Sequence, residues 1–354
     1  MRVLLLSRYG RLGATSRQRH LQYLPALRAA GFEVAVDALL DDGYLRRMHA
    51  GDPPRPAPIA FAYLRRIGRL LGARRWDGLW IEKEILPWLP AAAERLLATA
   101  GVPMVLDFDD AWFHRYDAHP RPAVRALLGG KVGRAMRAAR LVVAGNPYIA
   151  DHAVAAGAAR VEIVPTVVDT DRIAVAPPAE RPLTLGWIGT PANARYLDPI
   201  RPALADLCRE GAARLLIVGG GPAALGGLPG EARDWDEARE AADLADMDIG
   251  LMPLPDTPFE RGKCGYKLIQ YMAAGRPAVA SPVGVNGQIV RPGETGFLAD
   301  DPDEWRGALR ALARDPALRA RLGVAGRARA EAEFSLRLWA PRMVDLLSTS
   351  FGGR

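Results

Sequence analysis

Two spacings of apolar residues alternate along this chain. Short, nearly continuous apolar runs, such as VLLLS at residues 3–7 and MVLDF at 104–108, give way to stretches where apolar side chains recur every three or four positions. The first spacing is that of strands buried on both faces, the second that of helices covering them, and the alternation argues for parallel sheets built from strand–helix–strand units. Strands are predicted at residues 3–7, 32–38, 78–81, 104–108, 141–144 and 161–164, then at 183–188, 214–218, 248–252 and 278–281. The first helix carries Leu21, Leu24 and Leu27 on one face and stops at Gly31, with a kink expected at Pro25. Residues 174–182, AVAPPAERP, have no period and read as a linker. The expected fold class is therefore α/β, with one parallel-sheet domain over residues 1–176 and another over 183–333. From about Asp303 the tail is helical, punctuated by Pro316, Gly323, Phe334 and Ser335.

Composition narrows the class. With 354 residues, 49% hydrophobic and 25% charged, the chain can form two ordinary cores. Its apolar runs fall far short of the roughly 18 residues that a membrane span needs. The opening MRVLLLSRYG reads as a buried strand rather than an export signal, because Ser7 and Arg8 interrupt it. Cys208 and Cys264 form neither a disulfide framework nor a zinc set, so a cytoplasmic location is expected. The net charge of +7 suits an anionic partner. No nucleic-acid-binding motif accompanies it, and nucleic acid is not expected as a partner. Residues 59–76, IAFAYLRRIGRLLGARRW, place Ile59, Tyr63, Ile67, Leu70 and Leu71 in a helical stripe flanked by Arg65, Arg66, Arg69 and Arg75. Such a helix either lies peripherally on an anionic membrane or packs its stripe on the sheet with its arginines in water.

The candidate chemistry concentrates in residues 259–286, FERGKCGYKLIQYMAAGRPAVASPVGVN, read as loop, helix, turn, strand and glycine loop. Gly262 and Gly265 open the helix and Gly275 closes it. A helix start offers free N–H groups and a partial positive charge to an anion. Lys263 and Lys267, four apart, are expected on one face, with Gln270 a turn further on. The alternative is a solvated basic face on an ordinary surface helix.

This segment resembles the nucleotide-sugar-binding signature of glycosyltransferase family 4, which has the GT-B fold. In that family two glutamates eight positions apart precede a small-residue turn and a strand of the Pro-Val-Ile/Val-Ala type. The run QYMAAGRPAVA matches the second half. Gln270 stands at the second glutamate, Gly262 at the first, and Glu260 lies two residues from it. LGWIGTPANARYL at residues 185–197 resembles the family's first strand and glycine loop of the C-terminal domain, placing Gly189 and Thr190 at close backbone approach and Asn193 or Arg195 toward the diphosphate. Arg195, Arg261 and Lys263 compete for the family's basic positions. LLIVGGGP and DIGLMPL resemble its middle strands, and Trp235 falls where such proteins hold the base.

In the first domain, GRLGATSR at residues 10–17 resembles the family's N-terminal glycine loop, bringing Gly13 to the donor and Arg17 to the acceptor. Asp107, Asp109 and Asp110 end a predicted strand beside Trp112, Phe113 and His114, where open α/β sheets bind ligands. Acceptor recognition by Asp109 or Asp110, with His114 beside them, is set against simple loop capping. The spelling DFD occurs in metal-dependent transferases, but the resemblance implies protein cations in place of a metal.

The resemblance thus implies two Rossmann-like domains facing across a cleft, with residues 334–354 forming a helix that crosses back to the first domain. It implies sugar transfer from a nucleoside diphosphate sugar to an acceptor hydroxyl, with retention and no bound cofactor. The acceptor is a glycan, a lipid-linked sugar or a small molecule. Lys263, Lys267 and Arg195 would stabilise the departing diphosphate, Gly284 would allow close approach, and Gln270 would contact hydroxyls. A sugar-nucleotide epimerase of the same fold and a non-catalytic sugar-nucleotide binder are the alternatives. A dehydrogenase is disfavoured, because no GxGxxG follows Ser7.

Overall fold

The computed structural model describes residues 1–175 and 182–352. Of the expected linker, residues 176–181 lie outside the described residues. The chain divides into two compact units. The first comprises Met1–Thr166, Arg261–Cys264 and the chain from Trp339 onward; the second comprises the described residues of Val167–Glu260 and Gly265–Leu338.

The first unit holds six parallel strands: β1 (Arg2–Tyr9), β2 (Glu33–Leu40), β3 (Gly78–Glu82), β4 (Met104–Phe108), β5 (Leu141–Ala144) and β6 (Val161–Ile163). Their order is β2-β1-β3-β4-β5-β6. One line of register runs Leu5–Trp80–Val105–Leu141 across the four central strands. Those strands are covered by helices on both faces, so they read as unbroken apolar runs, whereas edge strand β2 is half exposed.

The second unit repeats the plan with β7 (Thr184–Ile188), β8 (Arg214–Val218), β9 (Gly230–Arg233), β10 (Ile249–Met252), β11 (Ala278–Ala280) and β12 (Gly296–Leu298), in the order β12-β11-β10-β7-β8-β9. The sequence pattern missed β9 and β12. Both are edge strands of three or four residues, and the sequence GEAR of β9 has no apolar alternation to betray it.

In both sheets the strand order reverses beside the strand that begins the unit: between β1 and β3, and between β7 and β10. Successive crossovers leave there in opposite directions, so a crevice opens at the carboxyl ends of those strands.

Two expectations change. The first helix is not one kinked rod but a π-helical turn (Ser16–His20), a 3-10 turn (Leu21–Tyr23) and an α-helix (Leu24–Ala29), with Pro25 in the first turn of the last, where its missing N–H costs nothing. Gly323 does not interrupt the tail; it sits inside the helix Pro316–Glu333, because a Cβ there would lie 2.1 Å from the carbonyl oxygen of Gly275. The late helix runs Leu336–Phe351, and the ring of Phe351 covers Gly78 at the start of β3, within the first unit.

Helix propensity favours alanine over glycine by about 1 kcal/mol. At Gly307, whose Cβ position is open, Gly307→Ala should raise stability by up to that amount. At Gly323 the backbone clash should reverse the sign, with Gly323→Ala costing about 2 kcal/mol. Urea midpoints of the two variants measured side by side check this; equal shifts would contradict the packing assignment.

Candidate active site

The switch point of the first unit is lined by charged groups that β1, β3 and β4 deliver from their carboxyl ends. Lys83, just past β3, adopts a left-handed backbone (φ 62°) that a residue with a Cβ rarely takes. That turn aims its ammonium back at the end of β4, 2.8 Å from Asp109 Oδ1 and 3.0 Å from Asp110 Oδ2. The Thr15 hydroxyl donates to Asp109 Oδ2 at 2.7 Å, and that of Ser16 to Glu82 Oε2 at 2.6 Å. Burial alone would raise the Asp109 carboxyl; the adjacent Lys83 charge, with hydrogen bonds from Lys83 and Thr15, outweighs it and holds the group below its ordinary range. Asp110 Oδ1 is buried with no hydrogen-bond partner among the described residues.

One layer deeper, Arg19 donates to Asp107 Oδ1 at 2.8 Å and to the Val164 carbonyl at 2.8 Å. Lys131 pairs with Glu84, which also accepts from Trp112 Nε1 at 2.7 Å. The Trp112 ring is bracketed by cations, with Arg8 4.3 Å, Arg115 4.6 Å and Lys83 4.9 Å from its centre. The three aspartates of the DFDD run therefore do different work: Asp107 anchors Arg19 in the interior, and Asp109 and Asp110 face Lys83.

Gly13 is packed against the Tyr9 side chain, and the Arg17 guanidinium donates to the Arg11 carbonyl. His114 is bound by Asp117 at 2.8 Å and Tyr148 at 2.9 Å, so its recorded partners are not the aspartates beside which the sequence set it.

The second unit's switch point is built around Gly189, the residue after β7. Its missing Cβ leaves room for the Trp187 ring and for the stem of Lys267, whose Cε would lie 3.1 Å from a Cβ there. The Lys267 ammonium sits 5.4 Å from the centre of the Trp187 ring. Gly219, after β8, approaches the Gly189 carbonyl with a left-handed backbone (φ 77°), and Trp235 flanks it. Thr190 precedes the 3-10 stretch Pro191–Ile200 and accepts from the Asn193 N–H at 3.0 Å. In that stretch the exposed Arg195 lies 5.4 Å from the Tyr196 ring. The Tyr196 hydroxyl donates to the buried Glu260 at 2.5 Å, and Thr257 also donates to that carboxylate. Burial, then the hydrogen bond to Glu260, pushes the Tyr196 phenol up to about 12. Gln270 is 2% exposed on the helix Tyr266–Ala273, and Gly284 is an exposed left-handed residue (φ 57°) after β11.

The expected lysine pair on one helix face does not form. The helix starts only at Tyr266, and Gly265 before it is left-handed (φ 61°), so the path that would stack positions 263 and 267 is broken. Arg261–Cys264 pack in the first unit instead: the Asn146 amide donates to the Gly262 carbonyl at 2.7 Å, and Gly262 is pressed on Ala111.

Two family models match this sequence: Glycosyltransferase Family 4 over residues 20–172 and Glycosyl transferases group 1 over residues 182–315. The chain is a family 4-like glycosyltransferase. No curated protein sequence matches it. Among solved structures, the glycosyltransferase is similar to sucrose-phosphate synthase of Thermosynechococcus elongatus (17% identity, TM-score 0.74, 100% of both chains covered). It is also similar to HepE of Anabaena in complex with UDP-glucose (16%, 0.72, covering 99% of this chain and 100% of that one). WaaG, a glycosyltransferase involved in lipopolysaccharide biosynthesis, gives 15% and 0.70 over 98% and 99%. At these identities the likeness is one of fold, and it identifies the two Rossmann-like units as GT-B.

Sequence reasoning on the glycosyltransferase missed Lys83, Tyr196 and the role of Trp187. The only signal for Lys83 was its place directly after a strand; its left-handed turn has no sequence mark.

His20 is wholly buried against Trp80, at 4.7 Å between ring centres. Burial, then the nearby Arg19 charge, lowers its imidazole to about 3. Because the folded value lies below the unfolded one, its contribution is complete above about pH 6.5 and is lost as pH falls toward 3, at about 1.4 kcal/mol per pH unit. His20→Phe should flatten stability against pH by one proton in that window. Parallel curves for the two proteins, from urea unfolding at pH 4 to 7, would overturn the assignment.

Proposed function

We propose that this glycosyltransferase moves a sugar from a nucleoside diphosphate sugar to an acceptor hydroxyl, with retention and without a metal. The observation that carries the donor assignment is the cluster at the carboxyl ends of β7 and β8, where the missing side chains of Gly189 and Gly219 let Trp187, Trp235 and the Lys267 stem pack close together. An ammonium held there stabilises charge that builds on a departing diphosphate. Solved structures of the same fold in complex with UDP and UDP-glucose support a nucleotide-sugar donor.

Lys267 and Arg195 are given the leaving diphosphate, and the start of the helix Tyr266–Ala273 adds backbone donors. Thr190, Asn193 and Gly284 line the donor side, and Gln270 takes a ribose or sugar hydroxyl. Glu260 acts through Tyr196, which it holds in place. In the first unit, Asp110 Oδ1 is an unspent buried acceptor suited to a substrate hydroxyl, with Asp109 fixed beside it by Lys83 and Thr15. Lys83 already pairs with both carboxylates, which favours a reading without metal there. Gly13 is assigned to the donor, Arg261 and Lys263 to its diphosphate, and Arg17 and His114 to the acceptor. Membership of family 4 supports retention, and no enzymic nucleophile is invoked. The free thiols Cys208 and Cys264 fit a cytoplasmic location. Among the described residues, no helix is long and apolar enough to cross a membrane.

A thermal-shift panel of nucleotides and sugar nucleotides tests this. A uridine or guanosine diphosphate species at about 100 times its Kd should add about 2.7 kcal/mol to the wild type. Lys267→Ala should lose most of that response with its own melting little changed. If no diphosphate species shifts the melting temperature, the donor assignment is wrong.

Separately, Lys83→Met should leave nucleotide binding intact while lowering transfer at least about 100-fold, since it strands two partly buried carboxylates. Normal transfer by a folded Lys83→Met protein would remove Asp109 and Asp110 from the acceptor side.

A further inference from the structure

The helix Pro56–Leu71 carries apolar side chains on both faces: Tyr63 and Leu70 pack on the core, while others point outward. Its most deeply buried side chain is an arginine: Arg66 is 1% exposed, donating to Asp37 Oδ2 at 2.9 Å and to the Ser7 carbonyl at 2.7 Å. Its outer face carries Phe61 (69% exposed), Leu64 (66%), Ile67 (40%) and Leu71 (87%). Of the two readings open at the sequence, the packed one holds for Tyr63 and Leu70, which pack on the core, and for the exposed Arg65, Arg69 and Arg75, and fails for the outward Ile67 and Leu71 and the buried Arg66. Only Ile59, Tyr63 and Leu70 of that stripe are partly buried, and Asp37 draws Arg66 inward, which rotates the helix.

Single exposed apolar residues need no explanation, but a contiguous row does. This row continues onto a neighbouring loop, where the Tyr63 hydroxyl donates to the Pro87 carbonyl at 2.8 Å beside Trp88 (46% exposed) and Leu89 (41%). The charges around it have one sign. Residues 55–76 contain Arg55, Arg65, Arg66, Arg69, Arg74 and Arg75 and no acidic residue. Arg65 and Arg66 are spent on Asp37, but Arg69, Arg74 and Arg75 have no ion pair among the described residues. At the helix end a cavity of about 490 Å³ opens beside Leu71, lined by Arg2, Arg69, Arg75, Trp76 and one acid, Glu33. The other nearby acid, Asp77, accepts from the Arg2 N–H at 2.7 Å.

We infer that this face is a docking surface for an anionic lipid bilayer, with the helix lying in the interfacial plane. Phe61, Leu64 and Leu71 would enter the acyl boundary, Trp88 would sit at headgroup level, and the unpaired arginines would meet lipid phosphates, one of them at the Arg2–Arg69–Arg75 cavity. A second copy of the chain fits poorly, because a two-fold contact would set the same arginines against one another. The cavity lies at the amino ends of β1 and β2, the opposite end of the sheet from Lys83 and its aspartates.

Co-sedimentation with phosphatidylcholine vesicles, with and without about 30% phosphatidylglycerol, tests this. The full chain should bind the anionic vesicles far more strongly and be released at about 0.5 M salt. The double variant R69Q/R75Q should weaken partitioning about 30-fold, and F61S/L71S at least as much. V324S, at an exposed valine of the second unit, should bind like the wild type. All variants should melt within a degree or two of the wild type, because the replaced side chains are exposed. Equal binding to both vesicle types, or unchanged binding by both double variants, would overturn the inference. So would a dimer in light scattering that F61S/L71S dissolves while no vesicle binding is seen.

Discussion

A parallel sheet whose strand order reverses beside its first strand cannot close its own carboxyl-end rim. The crossovers on either side of the reversal leave in opposite directions, and the backbone groups between them must find other partners. This chain meets that constraint twice, between β1 and β3 and between β7 and β10. Lys83 with Asp109 and Asp110 lies at the first rim and Gly189 with Lys267 at the second, each backed by apolar strand interiors.

The two rims are built differently. In the first unit the interior itself is charged: Arg19 with Asp107, Arg66 with Asp37, Lys131 with Glu84, and Lys83 with two aspartates. Buried pairs of this kind seldom add stability over apolar packing, but removing one partner is costly, so they favour a single arrangement. Lys83 accepts a strained backbone to complete its pair, as residues at functional sites often do. In the second unit the rim is shaped by omission. Gly189 and Gly219 leave out side chains so that tryptophan rings, a lysine stem and a carbonyl can crowd together. Charged groups fix geometry in one unit and close packing against glycine backbone does so in the other.

Much of the fold was legible in the sequence because strands buried on both faces must be continuously apolar. All ten strands read from the pattern are present, within a residue or two at their ends. The two that escaped, β9 and β12, are short edges whose formation is imposed by the neighbouring strand rather than by their own side chains. The glycine loop at Gly189 and the family signature near Gln270 were legible because close backbone approach and helix starts demand particular residue types. Lys83 and Tyr196 were not, since a lysine after a strand or a tyrosine in a loop carries no mark of its partner until Asp109 or Glu260 is brought to it.

The sequence by itself determined the two parallel-sheet units, the central strands and the family, because these follow from apolar period and local motif. Only the tertiary structure decided which charges are buried, which face of the helix Pro56–Leu71 meets solvent, and that Lys263 and Lys267 part company at Gly265. The reason is range. Period and motif are set by residues within a few positions of one another. The burial of Arg66 depends on Asp37, 29 residues away, and the setting of Lys83 on Asp110, 27 away. Such pairings exist only once the sheet has brought those segments together.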